Sequence, residues 1–247
     1  MTSESLQASF RYLFLSELAA LKQLARSLPP NPVVVNIGAG SGTSGLAFME
    51  SRSDLFMITV DIEGGDSPFG SLYSERHVLE QAGIPDYRYH QILGDSKQVG
   101  ETAQSTFNML VYEDDKLINI MKRFLLDGIP TKFADLVFID GDHSYNGAKG
   151  DILAWIPNIK PGGIMAVHDF NKKEVYKDGP IDNAPHPLPW PGVDRAVRKF
   201  LCPFYEIVLQ VDTLIVFKVT EEGQRNMWLH RLDTAIFKHA RDKGLGQ

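Results

Sequence analysis

Cysteine is almost absent from this chain. Cys202 stands alone among 247 residues, which excludes an internal disulfide and any cysteine-based zinc site. Long apolar runs are missing too, and no stretch is long enough to cross a bilayer. The first residues lack the basic-then-apolar layout of a signal peptide. A reducing cytoplasm, with no membrane partner, is therefore the default expectation. Positive charge is scarce: 25 Lys and Arg face 31 Asp and Glu, for a formal net charge of -6. That balance argues against a nucleic-acid backbone as the main partner. Internal repeats and low-complexity tracts are not found either.

What is present suits one large α/β domain with its own core. Residues 6 to 28 carry Phe10, Leu13, Phe14, Leu18, Leu21, Leu24 and Leu28 at helical spacing, closed by Pro29 and Pro30. From Pro32 onward strands and helices alternate. The strands read as Val33–Val35, "LFMITVD", "YHQILGD", "ADLVFID" and "GIMAVHD". Helices are expected over "SGLAFMES", 71–82, 113–127, 146–155 and 193–201. That rhythm predicts a mostly parallel, Rossmann-like doubly wound sheet with helices on both faces. The ending differs. "FYEIVLQ" and "TLIVFKV" are joined so tightly that they can pair only as an antiparallel hairpin, giving seven strands in all. A terminal helix over 224–242 places Trp228, Leu232, Ala235 and Ile236 on an apolar stripe. The expected organisation is a helical extension over 1–30, the main domain over 31–220, and a packed helical segment over 221–247.

"VVVNIGAGSGTSG" sets Gly38, Gly40 and Gly42 between a strand and a helix. Glycine permits a sharp turn and close approach of a ligand to the backbone. The helix N-terminus behind the loop offers free N–H groups and a positive dipole end. Such a loop suits a nucleotide-like cofactor, although alone it also fits a plain tight turn. Asp61, about 20 residues on, ends the next strand where a carboxylate can hold ribose hydroxyls. "LGDS" leaves Asp95 and Ser96 at the same sheet edge, able to reach an adenine ring or simply to cap a helix.

Taken in order, "NIGAGSG", "VDIE", "LGDS", "FIDGDH" and "KPGGIMAVHD", followed by the hairpin, resemble a class I S-adenosylmethionine (SAM)-dependent methyltransferase over about residues 32 to 219. The resemblance implies a last strand inserted antiparallel between two parallel ones. It implies that Gly38, Ala39, Gly40 and Gly42 cradle the methionine part of SAM, whose product is S-adenosylhomocysteine (SAH). Asp61 would hold the ribose, Asp95 and Ser96 the adenine, and Asp140 would face the cofactor. Many members carry Asp or Glu where this chain has Asn36, which keeps an acceptor but no charge.

The fourth strand runs out at Asp140 and the fifth at His168-Asp169. Adjacent parallel strand ends lie roughly 5 Å apart, so Asp140, Asp142, His143, His168 and Asp169 are expected to converge near the transferred methyl. Carboxylates crowded there would repel without a cation. Carboxylate oxygens with an imidazole suit Mg²⁺ or another divalent ion, and the expected ligands are Asp140, His168 and Asp169. The pattern is similar to metal-dependent small-molecule O-methyltransferases of the caffeoyl-CoA and sugar-modifying types. In those families a Lys commonly stands at the position of His143, and a proposed base at that of Asp142. Both residues are therefore candidate general bases. The chain departs from both templates: His168 replaces an acidic ligand, and Phe170 stands where catechol-type enzymes have Asn, with Asn171 one step away.

Residues 176 to 194 hold five prolines and read as an acceptor-pocket wall, with Trp190 as an aromatic contact. The leading expectation is methyl transfer to a small-molecule hydroxyl, assisted by a divalent metal. Metal-independent O- or N-methylation and non-catalytic SAM or SAH binding stay open. An oxidoreductase is disfavoured by the hairpin and by "LGDS". Nothing in the sequence names the acceptor, and a homo-oligomer is compatible with it.

Overall fold

The structure, a computed structural model, describes residues 1–62, 72–103, 132–175 and 190–242. Two helices open the chain, α1 (Ser3–Phe10) and α2 (Leu15–Ser27), where the spacing predicts one. The break is local. Arg11 turns left-handed at φ 55°, and the Leu13 N–H is taken by Gln7 Oε1 at 3.0 Å. Glu17 then accepts the Phe14 N–H at 2.8 Å and restarts the helix. Leu13 remains buried in the same cluster as Leu18 and Leu21, so the apolar period runs straight across the turn and conceals it.

Alternation follows as expected: β1 (Val33–Ile37), α3 (Thr43–Ser51), β2 (Phe56–Asp61), α4 (Leu72–Gln81), β3 (Tyr89–Leu93), α5 (Ser96–Glu101), β4 (Ala134–Ile139), α6 (Tyr145–Trp155), β5 (Ile159–Val167), α7 (Lys172–Val175), α8 (Pro191–Phe200), β6 (Glu206–Val211), β7 (Leu214–Lys218) and α9 (Glu221–Asp242). The seven strands lie in the order β3-β2-β1-β4-β5-β7-β6. Strands β1 to β5 pair in parallel. β7 is inserted antiparallel between β5 and β6. Strand order reverses between β1 and β4, and the crevice outside their carboxyl ends is where such sheets bind ligands.

Period-2 alternation explains why the central strands are apolar throughout. Val33, Val35 and Ile37 face a cluster built on Trp155, Ile152 and Phe217. Val34 faces the opposite cluster, with Phe48, Leu46 and Leu21. Each fully buried Leu or Phe stabilises the fold by about 1.5–3 kcal/mol. β5 starts four residues earlier than "GIMAVHD" suggests. Gly162 (φ 82°) lets the chain bend there, and the register with β4 shifts between Ala134 and Leu136.

The last helix differs from its expected stripe. Met227 is buried, but Trp228 is 58% exposed, and Gly223 closes against the Tyr205 ring. The side chains of Leu232, Ala235 and Ile236 lie outside the described residues, as do the helix expected at 113–127 and loop residues 176–189. No helix among the described residues is long and apolar enough to cross a membrane.

Candidate active site

Three glycines let β1 turn into α3. Gly38 has φ 90°, and a Cβ there would lie 2.1 Å from the Asp140 carbonyl oxygen. Only glycine lets the ends of β1 and β4 approach so closely. The loop is tied from outside as well: Ala39 N–H donates to Asp61 Oδ2 at 2.7 Å. Burial pushes the Asp61 carboxyl up, against the backbone donors of Ala39, Ile62 and Gly40. Asp61 thus braces the glycine loop from the end of β2. One strand further out, Asp95 caps α5, accepting from the Lys97 N–H at 2.9 Å. The Ser96 hydroxyl donates to Asp151, whose burial raises its carboxyl to about 6.

The ends of β4 and β5 bring together Asp140, His143, His168 and Asp169. His168 is 3% exposed. Its Nδ1 meets Asp140 Oδ1 at 3.1 Å, and its Nε2 meets Glu17 Oε2, also at 3.1 Å. Burial opposes charging this ring, yet Asp140, Glu17 and Asp169 together hold it well above the ordinary histidine range. His168 is an imidazolium with both nitrogens committed to carboxylates. Asp140 is correspondingly held far below the usual carboxylate range: burial works against it, but His168 and His143 outweigh burial.

Sequence reasoning missed Glu17. It reaches the site from α2, where Thr213 N–H (2.7 Å) and Thr213 Oγ1 (2.6 Å) also donate to it. Its signal was a carboxylate placed among Leu13, Leu18 and Leu21, on the face that packs inward.

His143 lies between the other two carboxylates, with Nε2 at 3.1 Å from Asp169 Oδ2 and 3.4 Å from Asp140 Oδ1. Burial lowers its basicity, and Asp140 and Asp169 more than restore it. Trp190 stacks on the ring at 4.7 Å and 19°. Asp142 is turned away: it is exposed and accepts the Ser144 N–H (2.8 Å) and hydroxyl (3.0 Å), tying down the turn into α6. A cavity of about 280 Å³ joins the loop to this cluster. Gly38, Ala39, Gly40, Ser44, Asp140, His143, His168, Asp169 and Trp190 line it, with Tyr12 and Leu13 from the turn between α1 and α2. The ligand atoms of Asp140, His143 and Asp169 all lie within 4.8 Å of one another. Two carboxylates and one imidazole so close form a donor set suited to a divalent cation.

Asn36 does not line the cavity. Fully buried, it donates through Nδ2 to Glu75 Oε1 at 3.1 Å. It accepts from Ser44 Oγ at 3.3 Å. Thr59 Oγ1 (3.1 Å) and Gln91 Nε2 (2.8 Å) also donate to Glu75. Burial outweighs these donors and pushes the Glu75 carboxyl from 4.5 up to about 7. Between those two values the folded state binds more protons than the unfolded one, so stability falls as pH rises through the window. Glu75→Gln removes the titration. Its melting temperature relative to the parent chain is expected to climb between pH 5 and pH 8, by the equivalent of about 2–3 kcal/mol. A pH-independent difference would refute this.

Comparisons with known proteins agree with the fold. The sequence model of the methyltransferase domain family matches residues 35–170. A stretch of 49 residues is 37% identical to the uncharacterized protein y4gI of Sinorhizobium fredii, and this match spans 20% of the chain but only 5% of that protein. Among solved structures, a candidate caffeoyl-CoA O-methyltransferase from Staphylococcus aureus superposes with a TM-score of 0.58 at 16% identity, over 88% of this chain and 92% of that one. Cofactor-bound Rv0187 from MTB gives 0.58 at 17% identity, over 89% and 86%. The O-methyltransferase TomG from Streptomyces achromogenes, involved in tomaymycin synthesis and in complex with SAM, gives 0.55 at 17%, over 85% and 82%. At these identities the likeness is one of fold.

Proposed function

The chain belongs to the methyltransferase domain family and has the class I SAM-dependent methyltransferase fold; on that premise we propose that it methylates a hydroxyl of a small molecule, aided by a divalent cation. The observation that carries this reading is the convergence of Asp140, His143 and Asp169 in the same cavity as the glycine loop. SAM supplies an electrophilic methyl group. A cation bound by Asp140, His143 and Asp169 would supply Lewis acidity that eases loss of the hydroxyl proton.

The chain's own residues do the rest. Gly38, Ala39, Gly40 and Gly42 present backbone to the donor, with Asp61 bracing the loop and Asp95 and Ser96 at the adenine end. Asp140 closes the cofactor side. Its carboxylate stays ionised because the His168 imidazolium is clamped to it. Trp190 and Tyr12 wall the acceptor space. The transfer domain is taken as residues 31–220, flanked by helical segments, in a cytoplasmic enzyme.

A second reading follows from the same charges. His168 already offsets part of the carboxylate repulsion, so the site can work without a metal. His143, oriented through Nε2 by Asp140 and Asp169, then accepts the hydroxyl proton at Nδ1.

One set of measurements separates the readings. Thermal shift with SAM, SAH, NAD and NADP is expected to show stabilisation by SAM and SAH alone; preference for NAD would sink the assignment. Calorimetric titration with Mn²⁺ is expected to show binding that Asp169→Asn weakens by about 10–100-fold. If both proteins take up Mn²⁺ alike, or neither does, the cation reading is lost. Turnover of a hydroxylated acceptor that survives EDTA but not His143→Ala would establish the second reading.

A further inference from the structure

We propose that Glu75 is a positioning residue for the donor-binding loop, holding the buried Asn36 amide and, through it, the first turn of α3, which faces the cavity. This rests on the reading of the glycine loop as the donor site. Three neighbouring strands prepare the place. Asn36 on β1 is in register with Thr59 on β2, and Thr59 is in register with Gln91 on β3. The three form one polar row across a sheet face whose next row, Val34, Met57 and Tyr89, packs into the apolar cluster. All three donate to the single carboxylate of Glu75, which is 0% exposed.

The cofactor loop closes onto the same side chain. A Cβ on Gly45 would lie 2.3 Å from Glu75 Oε1, and one on Gly42 would lie 3.0 Å from its Cα. Gly38 and Gly40 thus line the cavity, while Gly42 and Gly45 admit Glu75 on the side away from it. From Glu75 the path to the cavity has two links. Asn36 Nδ2 donates to the carboxylate, and Ser44 Oγ, which lines the cavity, donates to Asn36 Oδ1. A row of this kind has no need to be polar for the fold alone, since apolar residues of similar volume pack as well or better beneath a helix.

The charged groups around it fit a fixed geometry. Asp61 on β2 is the nearby like charge, and burial is what chiefly raises the Glu75 carboxyl. Arg76 on α4 donates to Gln91 Oε1 at 3.1 Å, which orients the Gln91 amide so that its nitrogen points to Glu75.

The test is SAH affinity by calorimetry, alongside melting temperature. Glu75→Ala is expected to raise the Kd for SAH about tenfold or more, the equivalent of one buried hydrogen bond. Glu75→Gln, which keeps the shape and one acceptor, is expected to stay within about threefold. Leu79→Ala, a buried change on the same helix, is the stability control. It should lower the melting temperature while leaving the Kd within about twofold. Equal Kd losses in Glu75→Ala and Leu79→Ala, or no loss in Glu75→Ala, would overturn the inference. If Glu75→Ala does not fold, Gln91→Leu removes the donor to Oε2, together with the bonds of Gln91 to the Leu72 carbonyl and to Arg76, and carries the test. A rise of about threefold supports the role, and an unchanged Kd overturns it. A parent chain that binds neither SAM nor SAH would instead bring down the donor-site reading itself.

Discussion

Replacing Glu17 with Ala is expected to destabilise the fold by about 3–5 kcal/mol, the usual cost of removing one partner of a buried ion pair. Four groups depend on that carboxylate: the His168 imidazolium, the Thr213 N–H and hydroxyl, and the Phe14 N–H that starts α2. Glu17 is itself held below its ordinary range. Burial opposes this, and the charge of His168 with the donors of His168, Thr213 and Phe14 overcomes it. Without Glu17, the buried Thr213 N–H and the part-buried Phe14 N–H lose this acceptor, and His168 keeps Asp140, Asp169 and the Thr213 hydroxyl. At about 2–4 °C per kcal/mol for a chain of this size, the melting temperature should drop by roughly 10 °C. Glu17→Gln retains acceptors for Thr213 but not the charge, and should fall between the two. Activity is expected to go with stability, because the Asp140 carboxylate loses its fixed neighbour. A melting temperature within about 2 °C of the parent would show that the buried cluster is not what holds α2 to the sheet.

The second large effect is expected at Gly38. Gly38→Ala combines a left-handed backbone, φ 90°, with a Cβ placed 2.1 Å from the Asp140 carbonyl oxygen and 2.7 Å from its carbon. Neither atom belongs to a flexible side chain, so the ends of β1 and β4 must part. Strained backbone and overpacking each cost about 1–3 kcal/mol. The displaced atoms are those that line the cofactor cavity, so SAH affinity should fall by about 100-fold or more, in step with the combined cost. Gly40→Ala is the internal comparison. Gly40 also has positive φ, 50°, but nothing lies within 4 Å of its added Cβ. It should cost only about 1 kcal/mol of backbone strain. Similar affinity losses in the two variants would contradict the steric account.

Much of the fold was legible because its signals are local. Apolar β-branched runs marked β1, β2, β4 and β5, glycines marked the loop, and a two-residue connection marked the hairpin. The convergence of Asp140, His143, His168 and Asp169 followed from parallel strand ends lying side by side. What stayed hidden depends on partners distant in sequence. His168 was expected beside Asp140 and Asp169, but the carboxylate at its other nitrogen, Glu17, lies 151 residues away in sequence. Asp142 looks equivalent to His143 in "DGDHS", but the Ser144 N–H and hydroxyl turn it outward. Asn36 reads as a weakened cofactor contact, whereas in the fold it faces Glu75. The break after Phe10 was invisible for the opposite reason: the apolar period is satisfied on both sides of it.

The bond between Glu17 and Thr213 joins positions 196 residues apart. Closing so long a loop is entropically expensive and is repaid only by contacts that form with it. The tie needs the hairpin of β6 and β7, which is the last part of the sheet to leave the ribosome. Until that hairpin docks, the Glu17 carboxylate lacks the two Thr213 donors that hold it beside His168. The finished site thus draws on α2, near the start of the chain, and on the turn between β6 and β7, near its end.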